Sequence, residues 1–223
     1  MGQSFIDILR ARNLLHQCTH EEAFTRHLAG GVRKGYAGFD PTADSLTIGN
    51  LVPLMMLANF QRAGHAPVVL MGGGTGMIGD PSGKSAERQL QTLEKVAANV
   101  ESQRRVFERV LDFSKGMTAA TLVNNADWLM KLGFIEVLRD IGKFFSVNAM
   151  VQKDSVRDRF QNREQGISYT EFSYQILQAH DFQHLHATAG VTVQMGGSDQ
   201  WGNITAGTDL IRKKKSAEAI AAG

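Results

Sequence analysis

Cysteine is almost absent from this sequence, since Cys18 is the only one among 223 residues. A single cysteine excludes an internal disulfide and every zinc site that is built from several cysteines. It also favours a reducing compartment, so we expect the protein to be cytoplasmic.

Long apolar runs are missing as well. No run approaches the roughly 20 residues that a membrane-spanning helix needs. The N-terminus also lacks a basic stretch followed by an apolar core. We therefore expect neither a membrane anchor nor export.

The sequence has no marked excess of either charge, because 24 Lys and Arg face 22 Asp and Glu. A net charge of +2 provides no general attraction to nucleic acid, so any RNA contact has to be local. Apolar residues make up 43% of the chain, which is enough for the core of one large domain or of a domain with an insertion.

Strands and helices alternate in the predicted secondary structure. Buried strands are predicted at 35–39 and 67–71, a third strand at 121–123, and an alternating strand at 191–195. Helices are predicted near 4–15, 19–30, 47–63, 87–111, 170–186 and 199–214, with several more in a candidate insertion at 127–160. Ser4 and Thr19 are the expected caps of the two short N-terminal helices, and Pro53 is expected in the first turn of the third helix. This alternation predicts an α/β domain with a parallel sheet.

Three predicted strands end in polar, glycine-rich segments. Asp40 follows the first, residues 72–83 follow the second, and residues 196–199 follow the last. Ligands of such sheets bind beyond the carboxyl ends of the strands, so we expect the site there. The segment 191–203 carries an acid and amides that suit a ribose and a purine edge, although a tight turn without a ligand explains it equally well.

Two phosphate-binding motifs are partly matched by the glycine-rich segment. Residues 74–79 satisfy the G-x-G-x-x-G fingerprint of dehydrogenases, but the turn sequence at 80–83 would break the helix that has to start inside the motif. Residues 83–85 resemble the end of a P-loop, but Ile78 stands where that loop needs glycine. We disfavour both motifs, and a glycine-rich turn without a ligand remains an alternative.

Two further clusters have competing interpretations. His180, Asp181, His184 and His186 could bind a metal because positions four apart share a helix face, but without a clear fourth ligand we favour surface histidines flanking Asp181. The basic run at 212–215 could contact RNA phosphates, but cations at a helix C-terminus also complement the helix dipole. We favour the second interpretation for that run, and we expect no metal site.

Four longer segments and two shorter ones form a recognisable set. The longer ones are Tyr-Ala-Gly-Phe-Asp-Pro-Thr-Ala-Asp-Ser-Leu at 36–46, then 76–84, 167–181 and 194–203, and the shorter ones are 124–128 and 145–148. Together they resemble the bacterial-type tyrosyl-tRNA synthetases. The likeness runs from about residue 30 to the last helix, with the segments in the order of the family.

The resemblance implies a fold, an activity and partners. It implies short N-terminal helices at 1–32 and a class I Rossmann-type catalytic domain at 33–223, with a helical dimerisation insertion at 127–160. Such an enzyme activates L-tyrosine with ATP and Mg2+, holds no tightly bound cofactor, and transfers the tyrosyl group to tRNA(Tyr). It also acts as a homodimer formed through the insertion.

The resemblance assigns roles to individual residues. Tyr36 and Asp181 would bind the tyrosine hydroxyl. The rest of the tyrosine site would comprise Asp80, Tyr174, Gln178 and Gln200, the first three on the amino group. The ATP side would comprise Asp40, Thr42, Gly49, Gly197 and Asp199, with Gln200 beside them and Asp199 on the ribose. Because the substrate carboxylate is already a nucleophile, such a site needs alignment and charge neutralisation rather than a general base.

Two family signatures differ in this chain. The first is His-Ile-Gly-His, whereas residues 47–50 read Thr-Ile-Gly-Asn. Thr47 and Asn50 each keep a side-chain donor for a phosphate oxygen, and with Lys84 they are the candidate catalytic residues. The second, lysine-bearing signature is absent, so we expect a truncated form of a longer protein. A non-catalytic adenylate- or RNA-binding module with the same fold is the alternative function.

Overall fold

A parallel sheet forms the centre of the computed structural model, which describes residues 4–82, 91–153, 156–157, 166–215 and 220–221. Within these residues the strands are β1 Lys34–Phe39, β2 Ala66–Met71, β3 Thr121–Asn124, β4 Val191–Gln194 and β5 Ile220–Ala221. They lie in the order β3-β2-β1-β4-β5, and every neighbouring pair is parallel. The strand order reverses between β1 and β4, which is the point where ligands bind in such sheets.

Helices flank this sheet on both faces. In chain order they are α1 Phe5–Ala11, α2 Glu21–Ala29, α3 Ile48–Arg62, α4 Leu93–Val110, α5 Ala126–Leu129, α6 Phe134–Glu136, α7 Val147–Val151, α8 Tyr169–Ala189 and α9 Trp201–Lys215. None of the helices in the described segments is both long enough and apolar enough to cross a membrane. The predicted α/β class and Rossmann-type parallel sheet are confirmed.

The position of β2 between β3 and β1 explains why residues 67–71 read as a continuous apolar run. Val69 and Met71 pack into the core beneath α1, α3 and α4. Val68 and Leu70 point to the other face and pack with residues of α8 and α9. Both faces of β2 are therefore buried, so every side chain along the strand has to be apolar.

Helix starts differ from the prediction at several places. Residues 91 and 92 are not helical, so α4 begins at Leu93, where the Thr92 hydroxyl accepts a hydrogen bond from the Lys95 backbone. The prediction of one helix running from residue 87 was therefore wrong at residues 91 and 92. Residues 87–90 lie outside the described part of the chain. Helix α2 begins at Glu21 with His20 as its N-cap, so the capping role of Thr19 was also wrong.

Helix α3 carries its proline deeper than expected. Pro53 lies in the second turn of a helix that begins at Ile48, not in the first turn. Because proline has no N–H, the helical bond to the Gly49 carbonyl is not formed. The loss of this hydrogen bond affects only the start of the helix, where the cap described below stabilises the first turn.

The segment between β3 and β4 is mostly helical, and its apolar residues divide into two groups. Ile141 is buried and packs with Ala179 and Leu210 of the neighbouring helices, with Phe144 and Phe145 partly buried beside them. Exposed apolar side chains form the second group: Met130, Phe134, Ile135, Leu138 and Val147. The described part of this segment therefore combines an internal apolar cluster with a group of exposed apolar side chains.

Candidate functional site

A cavity of about 560 Å³ lies at the carboxyl ends of β1, β2 and β4. It is lined by all the site residues predicted from the sequence except one: Tyr36, Asp40, Thr42, Thr47, Gly49, Asn50, Asp80, Tyr174, Gln178, Asp181, Gly197, Asp199 and Gln200. The exception, Lys84, lies outside the described residues. Asp40, the segment after β2 and the turn at 196–199 meet here because parallel strands end at the same edge of a sheet.

Asp181 of α8 is the most deeply buried carboxyl group of the site, with 1% of its surface exposed. Asn125 donates to one oxygen over 2.9 Å, and the Trp128 indole N–H donates to the other over 2.8 Å. Burial raises the pKa of Asp181 to about 7, against the lowering effect of these two donors; the charge of Asp40 raises it further. The carboxyl group is thus fixed on both oxygens at the cavity wall.

The hydroxyl of Tyr36 is buried in the same region and has no hydrogen-bond partner among the described residues. Burial raises the pKa of Tyr36 well above its usual value, and the nearby charge of Asp181 adds to the effect. A buried hydroxyl without a partner costs free energy. A ligand that carries its own hydroxyl group could pair with Tyr36 and Asp181 together.

Asp40 follows β1 and receives two hydrogen bonds. The Tyr174 hydroxyl donates to one oxygen over 2.9 Å, and the Thr75 hydroxyl donates to the other over 2.8 Å. Burial, together with the charge of Asp40, raises the pKa of Tyr174 well above its usual value. The phenol therefore stays protonated and keeps donating.

A third acid, Asp80, lines the cavity from the segment after β2. Its pKa is raised by burial, against the lowering effect of hydrogen bonds from Ser82 and Gln200. The Gln200 amide donates to it over 2.6 Å and lies 3.2 Å from exposed Asp199. Asp80 and Gln200 thus form one polar unit, which links the segment after β2 to the turn after β4.

Two glycines let the segment after β2 approach its neighbours closely. A Cβ atom on Gly72 would lie 2.6 Å from the Thr75 hydroxyl oxygen and still closer to Asp40. A Cβ on Gly73 would overlap the amide of Asn124. A side chain at Gly72 would displace Asp40 and Thr75, and one at Gly73 would displace Asn124, so close packing explains these two glycines.

The first turn of α3 forms the rim of the cavity. The Thr47 hydroxyl accepts a hydrogen bond from the Asn50 backbone over 3.4 Å, and the Asn50 amide oxygen accepts from the Thr47 backbone over 3.0 Å and from the Thr47 hydroxyl over 2.8 Å. This reciprocal arrangement is a capping box. The backbone N–H groups of the turn and the positive end of the helix dipole make this rim suited to an anion.

Three polar residues of the site were missed by the sequence analysis. No role was assigned from the sequence to Asn125, Trp128 or Thr75. The Asn125 amide nevertheless donates to both Thr75 and Asp181, so it links the segment after β2 to α8. Its own oxygen accepts from the Gly74 backbone over 2.7 Å. The available signal was the run of polar residues at 124–128 directly after a strand.

The histidine cluster differs from its prediction. His180 is only 9% exposed, and His184 is half-buried with its ring stacked on Trp128, so the expectation of surface histidines was wrong. No group of three or more potential ligands that could hold a metal ion occurs among the described residues. The rings are part of the packing around α8.

The basic run at the end of α9 contacts protein groups. Arg212 pairs with Asp209, Lys213 donates to the Phe144 carbonyl, and Lys214 donates to the Gln183 amide. These contacts tie the helix end to the insertion and to α8, which fits the favoured helix-end interpretation.

Comparisons with known proteins converge on one family. The family described as "tRNA synthetases class I (W and Y)" matches residues 31–221. The chain is 55% identical to a tyrosine–tRNA ligase of Opitutus terrae, over 97% of the chain and 51% of that protein. It is 52% identical to tyrosine–tRNA ligase 2 of Enterococcus faecalis, over 99% of the chain and 52% of that protein. The chain thus spans about half the length of these relatives.

A solved structure agrees with these matches. It is a C-terminally truncated mitochondrial tyrosyl-tRNA synthetase of Aspergillus nidulans, with a TM-score of 0.86 and 30% sequence identity. The alignment covers 99% of the present chain and 68% of that one. Fold and sequence therefore point to the same family.

Proposed function

This chain belongs to the class I tRNA synthetases (W and Y), and we propose that it forms the catalytic core of a tyrosine–tRNA ligase. One observation carries the choice of tyrosine: the buried carboxyl of Asp181 and the buried hydroxyl of Tyr36 border the same cavity. A substrate phenol between them can donate to the carboxyl and accept from the hydroxyl. Phenylalanine would leave both protein groups unpaired.

The other polar groups of the cavity suit the remaining parts of the two substrates. Asp80, Tyr174 and Gln178 would surround the tyrosine ammonium group, with Gln200 fixed by its bond to Asp80. ATP, entering as its magnesium complex, would lie toward the α3 rim, with Gly49 near its phosphates and Asp199 on its ribose. Helix N–H groups at that rim favour phosphate.

The chemistry follows from this arrangement. The tyrosine carboxylate attacks the α-phosphorus of ATP, the new carboxyl–phosphate bond forms, and pyrophosphate leaves with the electrons of the broken bond. The tyrosyl group then passes from the adenylate to a hydroxyl group of tRNA(Tyr), and AMP leaves. Orientation and charge neutralisation supply the acceleration, because no proton has to be removed from the nucleophile.

The same proposal includes partners and a compartment. The exposed apolar face of the insertion, which contains Phe134 at 66% and Ile135 at 71% exposure, would be covered by a second copy of the chain in a homodimer. The single cysteine is in keeping with a cytoplasmic location.

A substitution series tests the tyrosine site. Asp181→Asn and Tyr36→Phe should each weaken binding of L-tyrosine but not of L-phenylalanine in isothermal titration calorimetry. Loss of a hydrogen bond to a buried carboxylate corresponds to roughly 1.5 to 3 kcal/mol, or about 10- to 150-fold in affinity, and loss of the neutral bond from Tyr36 to roughly 0.5 to 1.5 kcal/mol, or about 2- to 12-fold. Tyr169→Phe is the matched control, because that tyrosine is 63% exposed. Equal affinity of the unchanged protein for the two amino acids would refute the assignment.

A non-catalytic adenylate- or RNA-binding module is the second candidate. The observation in its favour is the cap at α3, in which the Thr47 hydroxyl and the Asn50 amide oxygen bind each other. Tyrosine-dependent exchange of pyrophosphate into ATP separates the two functions. Exchange by the natural protein supports the ligase, whereas tyrosine binding without exchange supports the module.

A further inference from the structure

The indole of Trp128 has two contacts that act on the same ring. Its N–H donates to Asp181 over 2.8 Å. Its face is stacked on the imidazole of His184, with ring centroids 4.4 Å apart and an angle of 16° between the ring planes. One side chain therefore connects the buried carboxyl of the site to a histidine that does not itself line the cavity.

The stack controls the direction of the N–H bond. The donor lies in the plane of the indole, so a tilt of the ring moves the hydrogen away from the Asp181 oxygen, and hydrogen bonds weaken when their angle departs from linearity. Asp181 and His184 are three residues apart on α8 and therefore share a face of this helix. That face supplies both the acceptor for the indole and the surface on which it rests.

Helix α5 itself does little to orient Trp128, whose partly buried side chain packs against the apolar cluster that includes Phe182 and Leu185 and stacks on His184. The helix has four residues, and none of them is fully buried. A helix of this length has no stability of its own. Asn125, directly before it, is anchored by the Gly74 backbone, but that bond fixes the start of the turn rather than the indole plane.

We propose that His184 is a positioning residue for phenol recognition: its ring holds the Trp128 indole on Asp181 and so sets the preference for tyrosine over phenylalanine. This inference rests on the proposed function, because it needs Asp181 to face the substrate phenol. The required property of residue 184 is a flat ring. A phenylalanine there would serve, whereas an alanine would not.

The first measurement is the ratio of the affinities for L-tyrosine and L-phenylalanine by calorimetry. His184→Ala should lower this ratio by roughly 2- to 10-fold, the range for loss of one aromatic pair. His184→Phe should restore it. His186→Ala is the control, because the His186 ring contacts the Val191 carbonyl instead of Trp128. It should leave the ratio unchanged.

The second measurement needs no ligand. The chain has two tryptophans, so in a Trp201→Phe background the emission reports Trp128 alone. His184→Ala should shift this emission and increase its quenching by acrylamide, and His184→Phe should change it less. If His184→Ala does not fold, His184→Leu replaces it, because leucine fills much of the same space but has no flat ring.

The outcomes separate the two proposals. An unchanged affinity ratio in His184→Ala, or an equal loss in His184→Phe, overturns the positioning role while the tyrosine site stands. If the unsubstituted protein does not distinguish tyrosine from phenylalanine, the proposed function fails and the inference fails with it.

Discussion

Tyr174 and Asp40 are joined by a hydrogen bond of 2.9 Å that links α8 to the end of β1. The bond connects the side of the cavity proposed for the tyrosine ammonium group to the side proposed for ATP. The other oxygen of Asp40 is held by Thr75 over 2.8 Å, so Asp40 has little freedom to move independently. The two proposed ligand sites therefore share a structural element.

Tyr174→Phe should weaken the binding of both ligands, because the bond between Tyr174 and Asp40 connects their proposed sites. The variant removes the donor to Asp40, and loss of a hydrogen bond to a carboxylate costs roughly 1.5 to 3 kcal/mol. We expect the dissociation constants of both tyrosine and ATP to rise in calorimetry, while Tyr169→Phe changes neither. A rise in the dissociation constant of tyrosine alone would show that the bond between Tyr174 and Asp40 does not affect ATP binding.

The location of the site follows from the sequence, whereas its hydrogen bonds do not. The apolar run at 67–71 requires a strand buried on both faces, and polar residues after three such strands have to meet at one sheet edge. The bond from Trp128 to Asp181 joins residues 53 apart, and no local pattern pairs an indole with a distant carboxylate. Only the packing of α5 on α8 brings them together.

The cap of α3 is a different case. Thr47 and Asn50 have the three-residue spacing of a capping box, so a local rule predicts their contact. The burial of His180 is not predictable in this way, because its helix carries apolar and polar residues on most of its surface and the sheet beneath it decides which of them is covered.

The raised pKa of Asp181 predicts a pH-dependent stability. An unfolded aspartate titrates near 3.9, and in the folded protein the pKa is about 7 because of burial. Below about pH 4 the group is protonated in both states, and its contribution to stability is fully present. Between about pH 4 and 7 the folded state binds more protons than the unfolded state, so stability falls as pH rises, by at most roughly 4 kcal/mol.

Asp181→Asn should remove this dependence. Urea unfolding at about pH 5 and about pH 8 should show the variant gaining stability relative to the unsubstituted protein as the pH rises. Asp127→Asn, at an exposed position, should show no such change. A constant difference between Asp181→Asn and the unsubstituted protein at the two pH values would contradict the raised pKa.

Gly72→Ala should disrupt the Asp40 network. The new methyl group would overlap Asp40 and lie 2.6 Å from the Thr75 hydroxyl oxygen, and both groups would have to move. We expect a loss of about 1 to 3 kcal/mol in unfolding free energy and weaker ATP binding. Gly133→Ala is the control, because a Cβ there meets no atom within 4 Å. Equal effects of the two substitutions would count against the close approach.

The uncovered face of the insertion predicts dimerisation. Phe134→Asp and Ile135→Asp introduce charges at positions where the side chains are 66% and 71% exposed. They should therefore weaken self-association without disturbing the core. Light scattering should give a dimer mass for the unsubstituted protein and a monomer mass for the double variant. Met117→Asp, at a position that is 83% exposed outside the insertion, should stay dimeric. A monomer mass before substitution would refute the homodimer.

Thr47 and Asn50 decide whether the altered first signature still serves catalysis. Both belong to the cap of α3, so Thr47→Ala should cost about 0.5 to 2 kcal/mol of stability in any case. Thr92→Ala separates this structural loss from a catalytic one, because the Thr92 hydroxyl also accepts a hydrogen bond from the backbone of its helix, at Lys95, and does not line the cavity. Similar losses of stability are expected from these two alanine substitutions.

Only the α3 variants should slow the reaction. If the Thr47 hydroxyl or the Asn50 amide nitrogen binds a phosphate oxygen in the transition state, Thr47→Ala and Asn50→Ala will lower the rate of pyrophosphate exchange in the natural protein. Tyrosine affinity should stay nearly constant, because Thr47 is exposed at the rim of the cavity, whereas Tyr36 and Asp181 of the proposed phenol site are buried. Thr47→Ser keeps both the cap and the donor, so it should retain the rate. Exchange rates of Thr47→Ala and Asn50→Ala that match that of Thr92→Ala would assign both side chains to helix capping alone.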